Sequence, residues 1–141
     1  MLQRVVPSVF GPMLACAALI GAMPARAGVV AQVDRNAQRM RVYVDGALTQ
    51  VWPVSTARSG FVTPAGQYRV YRLERWWWSR KYGGAMPYAL FYRGGYAIHG
   101  TAAVGRLGRP ASHGCVRLAP SHARWLFDVV RSAGGARVVI R

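Results

Sequence analysis

Between residues 28 and 119 no hydrophobic pattern in this chain runs on for long enough to build a multi-turn helix before a turn signal breaks it. The 16 Gly and 8 Pro supply most of those breaks. Residues 29–33 read as a strand, and 39–44 alternate polar and apolar residues as a half-buried strand does. Asp45-Gly46 then marks a tight turn, so residues 38–54 read as a hairpin. Thr63-Pro64-Ala65-Gly66 reads as a turn that opens a strand over 67–73, with Tyr68, Val70 and Arg72 alternating against Arg69, Tyr71 and Leu73. Residues 88–92 and 96–98 flank Arg93-Gly94-Gly95, a second hairpin signal. The period changes only late. Pro120 suits a first helical position, and His122, Trp125, Leu126, Val129 and Val130 follow at helical spacing up to Gly134-Gly135. Residues 136–140 close as a strand. The expected fold is mainly β, a small sandwich or barrel-like sheet with one late α-helix.

The first 27 residues carry a different signal. Arg4 precedes an uncharged stretch over 5–25, most apolar at 13–20, which ends in Ala25-Arg26-Ala27. A positive start, an apolar middle and small residues at −3 and −1 are the parts of a secretory signal peptide. Pro7, Gly11, Pro12, Gly21 and Pro24 interrupt the stretch and argue against a membrane-spanning helix. No twin arginine precedes it, and Met13-Leu14-Ala15 before Cys16 fits a lipoprotein signal poorly. The expectation is one domain over residues 28–141, exported to the periplasm or cell envelope without stable membrane insertion, and a monomer by default. Cleavage would remove Cys16 and leave Cys115 without a partner for an internal disulfide. Such a thiol is buried, cross-linked or reactive.

Charge narrows the chemistry. The chain has 19 Lys+Arg, of which Lys81 is the one lysine, against 4 acidic residues: Asp34, Asp45, Glu74 and Asp128. Four scattered carboxylates leave little room for a paired-acid mechanism or an oxygen-rich cation cage. A net charge of +15 favours polyanionic surroundings, an acidic cell wall among them.

The residues able to do chemistry gather around the remaining cysteine. Ser112-His113-Gly114-Cys115-Val116-Arg117 lies in a Gly-containing loop, and upstream Ile98-His99-Gly100 ends an apolar strand. A thiol becomes a nucleophile when a nearby imidazole takes its proton. His113 shares a face with Cys115 if the segment is extended, but not if Gly114 makes a tight turn. His99 sits at a strand end from which a hairpin-like return would bring it opposite the thiol. Gly114 would let the backbone approach a substrate, and amides around Cys115 could hold an oxyanion.

These residues resemble the signature of the L,D-transpeptidase catalytic domain, the YkuD-like family. Thr63-Pro64-Ala65-Gly66 and the segment Met86-Pro87-Tyr88-Ala89-Leu90 through His99-Gly100 are similar to further parts of that family's pattern. The resemblance implies an envelope enzyme that remodels peptidoglycan, with no cofactor and no metal. Cys115 would attack the carbonyl of the residue-3 diamino acid of a tetrapeptide stem, expel D-Ala and form a thioester. An amine acceptor would then give a 3→3 cross-link. The resemblance also implies that His99 is the general base, that His113 supports it, and that a carbapenem acylates Cys115. Ser112 is expected to fix the His113 ring, Arg117 to hold a substrate carboxylate, and Tyr88 and Trp77 to contact substrate. The spacing from His99 to Ser112 is slightly short for the family, and Arg117 stands where many members have Asn.

Other readings compete. Water as acceptor would make an L,D-carboxypeptidase or endopeptidase, and an inert thiol would leave a non-catalytic wall-binding module. His99, His113 and Cys115 could instead ligate zinc, although no carboxylate lies near them in sequence to orient the imidazoles. Trp76-Trp77-Trp78, framed by Arg75, Arg80 and Lys81, invites a nucleic-acid stacking reading. Export and the lack of a nucleic-acid motif argue against that partner. The preferred reading is a lid over the substrate groove, hinged at Gly83-Gly84, with at least one indole exposed.

Overall fold

The computed structural model describes residues 28–141; the expected signal peptide lies outside the described residues. Three strands open the fold, β1 (Val29–Asp34), β2 (Arg39–Val44) and β3 (Ala47–Pro53). The turn between β2 and β3 places Asp45 at φ 51° and Gly46 at φ 82°, the double positive φ that Asp-Gly tolerates in a hairpin. Next come β4 (Gly66–Arg69), β5 (Arg72–Glu74), a short ribbon of β6 (Trp78–Ser79) and β7 (Gly84–Ala85), and the hairpin β8 (Ala89–Arg93) and β9 (Tyr96–Gly100). The chain ends with β10 (Val116–Leu118), the helix α1 (Pro120–Ala133) and β11 (Ala136–Ile140).

The strands form two main sheets, ordered β3-β2-β1-β11-β4 and β10-β9-β8-β5. The strand expected over 67–73 is in fact two. Val70 N–H donates to Ala136 O of the first sheet, and Tyr71 N–H donates to Phe91 O of the second. Successive amides thus bond to different sheets, and the chain crosses between them at that step. Alternation shifts by one residue at the crossing: Tyr71 and Arg72 are both exposed, and Leu73 joins Tyr68 and Val70 against the core, so the side-chain phase expected across 67–73 does not hold.

Val29, Ala31, Val33, Met40, Val42, Val138 and Ile140 of the first sheet meet Leu90, Ile98, Val116 and Leu118 of the second in one core. Pro120 occupies the first turn of α1, and Gly134 ends it in the left-handed region at φ 76°. The helix buries Ala123, Leu126, Phe127 and Val130 into the same core. Burial of Leu126, Phe127 and Val130 contributes about 1.5–3 kcal/mol each. The buried stripe is rotated from the expected one. Ala123 and Phe127 lie at its centre, whereas His122 stacks on Trp52 at 4.7 Å and Trp125 meets the same indole edge-on. His122 is therefore a packing residue.

Candidate active site

Sequence alternation and strand pairing together put the thiol and one imidazole on the same surface. Strands β9 and β10 run parallel, with Ile98 beside Val116 and His99 beside Arg117. This corrects the hairpin-like return: residues 101–115 cross over and bring the chain back in the same direction, as parallel neighbours require. Ile98, Val116 and Leu118 face the main core. Ala97 packs on the opposite face in a smaller cluster with Met86, Ala89, Phe91, Trp77 and Cys115. Because side chains alternate, His99 follows Ala97 onto that outer face and Arg117 follows Cys115. The imidazole sits one diagonal step across the sheet from the thiol.

His99 is buried and Cys115 half-buried. His99 is 6% exposed, and burial pulls it from the ordinary 6.5 down to about 4, assisted by the Arg117 charge and opposed by the Gly100 carbonyl. Nδ1 of His99 lies 2.7 Å from Gly100 O. A carbonyl can only accept, so Nδ1 carries the proton and Nε2 is left as the basic nitrogen. Burial pushes the Cys115 thiol up, against a backbone hydrogen bond from Ala97 and the Arg117 guanidinium. At neutral pH the pair is therefore a neutral thiol and a neutral imidazole.

The Ser112–Cys115 loop is braced from behind. Ser112, fully buried, donates from Oγ to Cys115 O at 2.6 Å and accepts from Gly114 N–H at 3.0 Å. Ser112 thus fixes the loop backbone rather than the His113 ring, and the Gly114 amide is already engaged. Thr63 Oγ1 donates to the Gly114 carbonyl at 2.7 Å and itself accepts from Ala57 N–H at 2.9 Å. Ser55 exchanges two backbone bonds with Arg117, and Arg58 N–H donates to Ser112 O. Buried Gln38 holds Thr56 through both ends of its amide. Gly114 has φ 139°, and a Cβ there would meet Tyr96 Cε1 at 2.7 Å and Val62 O at 3.0 Å. The absence of a side chain admits Tyr96 and Val62, not the substrate expected there.

The bend at Gly114 turns His113 outward. Its ring stacks on Tyr82 at 4.2 Å with an interplanar angle of 3°, and Phe61 meets it edge-on at 4.8 Å. The Arg58 guanidinium donates to His113 Nε2 at 3.3 Å. Burial, Arg58 and Arg117 all lower its proton affinity. With Nε2 occupied by a donor, His113 is poorly placed to take a proton. Among the described residues no three His, Cys, Asp or Glu side chains converge as metal ligands, so the zinc arrangement is not assembled.

The Trp segment covers the outer face. Trp77 packs edge-on against Phe91 at 5.5 Å, and Arg72 lies over its ring at 4.6 Å. Trp76 and Trp78 are 67% and 57% exposed. The β6–β7 ribbon reaches the Ser112–Cys115 loop at its tip through Tyr82, stacked on His113. Tyr88, expected at the substrate, instead packs edge-on against Phe127 of α1 at 5.6 Å and belongs to the main core. Thr63, Thr56, Ser55, Gln38, Arg58 and Tyr82 serve the site without having been singled out for it. The Thr-Pro-x-Gly turn was the available signal for Thr63; the others have none in a single sequence. No helix among the described residues is long and apolar enough to cross a membrane.

The model of the YkuD L,D-transpeptidase catalytic domain matches residues 28–140. None of the curated proteins matches the chain. Among solved structures, an L,D-transpeptidase from Mycobacterium smegmatis shares 25% identity at TM-score 0.71, over 80% of this chain and 58% of its own. One from Xylanimonas cellulosilytica shares 27% identity at TM-score 0.70, over 82% of this chain and 61% of its own. One from Mycobacterium tuberculosis shares 26% identity at TM-score 0.72, over 80% and 57%. The chain thus spans less than two thirds of each of these structures. Extending across nearly every described residue, the family match makes this chain a member of the YkuD family of L,D-transpeptidase catalytic domains.

Proposed function

We propose that the protein is a cysteine L,D-transpeptidase of the cell envelope that acts on peptidoglycan stem peptides as a monomer, residues 1–27 serving as its export signal. The observation that carries this reading is the desolvated Cys115 thiol on one sheet face with His99, whose Nδ1 is committed to Gly100 O. His99 Nε2 takes the thiol proton as Sγ attacks the carbonyl of the residue-3 diamino acid. The tetrahedral oxyanion is held by loop amides other than that of Gly114, which Ser112 occupies. Collapse breaks the bond to D-Ala, and His99 returns the proton to the departing amine. An acceptor amine then attacks the thioester, gives up its proton to His99, and the thiol is restored.

Ser112, Gly114 and Thr63 support this chemistry by holding the loop. Trp77 forms the wall that keeps water from the thiol, and Arg117 meets a substrate carboxylate. His113 is a positioning residue whose ring joins the loop to the ribbon through Tyr82.

Intact-protein mass after incubation with a carbapenem tests the reading, beside a Cys115→Ala control. A single drug-sized adduct on the parent protein alone is the expected result. A folded protein that gains no mass overturns the proposal in favour of a wall-binding module.

A further inference from the structure

The positive charge around the catalytic loop has no counter-charge anywhere in the chain. All four carboxylates are engaged elsewhere. Asp34 accepts from the amides of Asn36 and Ala37 and faces Arg141 at 3.8 Å. Asp45 accepts from Gly28 N–H, Glu74 pairs with Arg72 at 2.7 Å, and Asp128 faces Arg124 and Arg131. Arg58 and Arg117 flank the loop from two sides, one bonded through its amide to Ser112 O, the other placed on the thiol's face of β10. Arg106, at the end of the 3-10 turn Val104–Arg106, adds its charge beside Arg117. Among the described residues, the Arg117 guanidinium hydrogen-bonds only Ala111 O at 3.4 Å, that of Arg58 only His113 Nε2 while lying over the Phe61 ring at 5.2 Å, and that of Arg106 makes no side-chain hydrogen bond. Like charges gathered this way, with donors to spare, are stabilised by an anion that comes and goes.

We propose that Arg58 and Arg106 act with Arg117 as a carboxylate subsite, occupied by the free terminal carboxylate of the leaving D-Ala. This deepens the acyl-donor reading above and rests on it. The reach fits. The terminal carboxyl carbon lies about 4 Å from the scissile carbonyl carbon, three bonds away. Arg117 follows Cys115 by two positions, about 6.7 Å along the strand. A guanidinium extended over that interval meets the carboxylate while the thiol meets the carbonyl. The subsite would select donors that end in a free D-Ala acid.

Titration calorimetry on the Cys115→Ala protein tests this, because binding is then read without turnover. The probes are the tetrapeptide L-Ala–D-isoglutamyl–L-Lys–D-Ala as the free acid and as its C-terminal amide, so that one carboxylate alone differs. The free acid should bind about tenfold tighter or better at low salt. That advantage should shrink to within about threefold in Arg58→Gln and in Arg106→Gln, and Arg58→Lys should restore part of it. Equal affinity for acid and amide, or a preference untouched by Arg58→Gln, overturns the subsite. Carbapenem acylation of the parent protein, in which the arginines are intact, reports the acyl-donor reading separately, so the two can fail independently.

Discussion

The two main sheets use similar residues but are covered differently, and the difference decides where the chemistry sits. In β1 burial alternates strictly, with Val29, Ala31 and Val33 inward and their neighbours half-exposed. On β3, Leu48 and Val51 face solvent. In the second sheet β8 buries four successive residues and β9 buries the last four of its five. One face of that sheet meets the core, and the other, carrying Ala89, Phe91 and Ala97, lies under Trp77 and Met86. A half-solvated sheet offers stability, whereas a sheet covered twice offers a dry surface on which a thiol and an imidazole can be held neutral. His99 and Cys115 lie on the second kind.

The largest effect should separate the two histidines. His99→Gln removes the desolvated base, and turnover of a stem tetrapeptide should fall by about 10²–10⁴. His113→Gln removes a ring outside the covered face and should cost less than about tenfold. Equal losses would mean that coverage does not distinguish them. The pH dependence sharpens the test. Carbapenem acylation should persist through mildly acidic pH and fail only as His99 protonates near 4. Stability has its own sign. Below the ordinary 6.5 the unfolded chain takes up a proton that folded His99 refuses until about 4, so stability falls as pH drops through that window. The loss approaches about 3 kcal/mol. Melting of His99→Gln should be flatter over the same range.

The first sheet was legible for the reason just given. Single-sided burial writes a period of two into Val29–Asp34 and Arg39–Val44, and Asp45-Gly46 names its own turn. Double-sided burial erases that period in β8 and β9, and a three-residue β10 is too short to show one. Parallel pairing of β9 with β10 left no local trace, because nothing in residues 101–115 states the direction of return. Cys115 and His99 were legible as chemistry. Their supports were not, because Thr63 and Gln38 act through contacts with residues far away in sequence. Arg58 was hidden for another reason: in a chain so rich in arginine, its place beside His113 is visible only in three dimensions.

A smaller effect tests the brace behind the loop against the first sheet. Thr63→Val keeps the shape but strands Ala57 N–H and Gly114 O, each of which bonds to Oγ1. Stability should drop by about 1–3 kcal/mol. Turnover should drop with it in kcat more than in KM, because Gly114 directly precedes Cys115, the proposed nucleophile. Val33→Ala, fully buried in the first sheet, should cost about 2 kcal/mol in stability and leave kcat unchanged while the protein stays folded. Chemical melts and steady-state kinetics on both variants read the contrast. A kcat loss in Val33→Ala equal to that in Thr63→Val would show that the loop senses global stability and not its own brace.

The mildest test concerns the cover itself. Three consecutive indoles differ in placement: Trp77 is half-buried against Phe91, in the cluster on which Cys115 also packs, and Trp76 and Trp78 point to solvent. Trp77→Ala removes the wall and the surface on which Arg72 lies, so the β6–β7 ribbon should open more often. Cys115 should then react with a thiol reagent several-fold faster, on the order of 3–10-fold, while turnover falls by a similar factor. Some loss of stability is expected as well, since half an indole leaves the packing against Phe91. Trp76→Ala should change neither rate, because its ring covers nothing. The opposing directions carry the argument: a thiol that becomes more accessible yet less productive is one whose chemistry depends on being dry. If Trp77→Ala leaves reagent access unchanged, the outer face is shielded by something other than this ribbon, and Met86 and Phe91 become the residues to vary next.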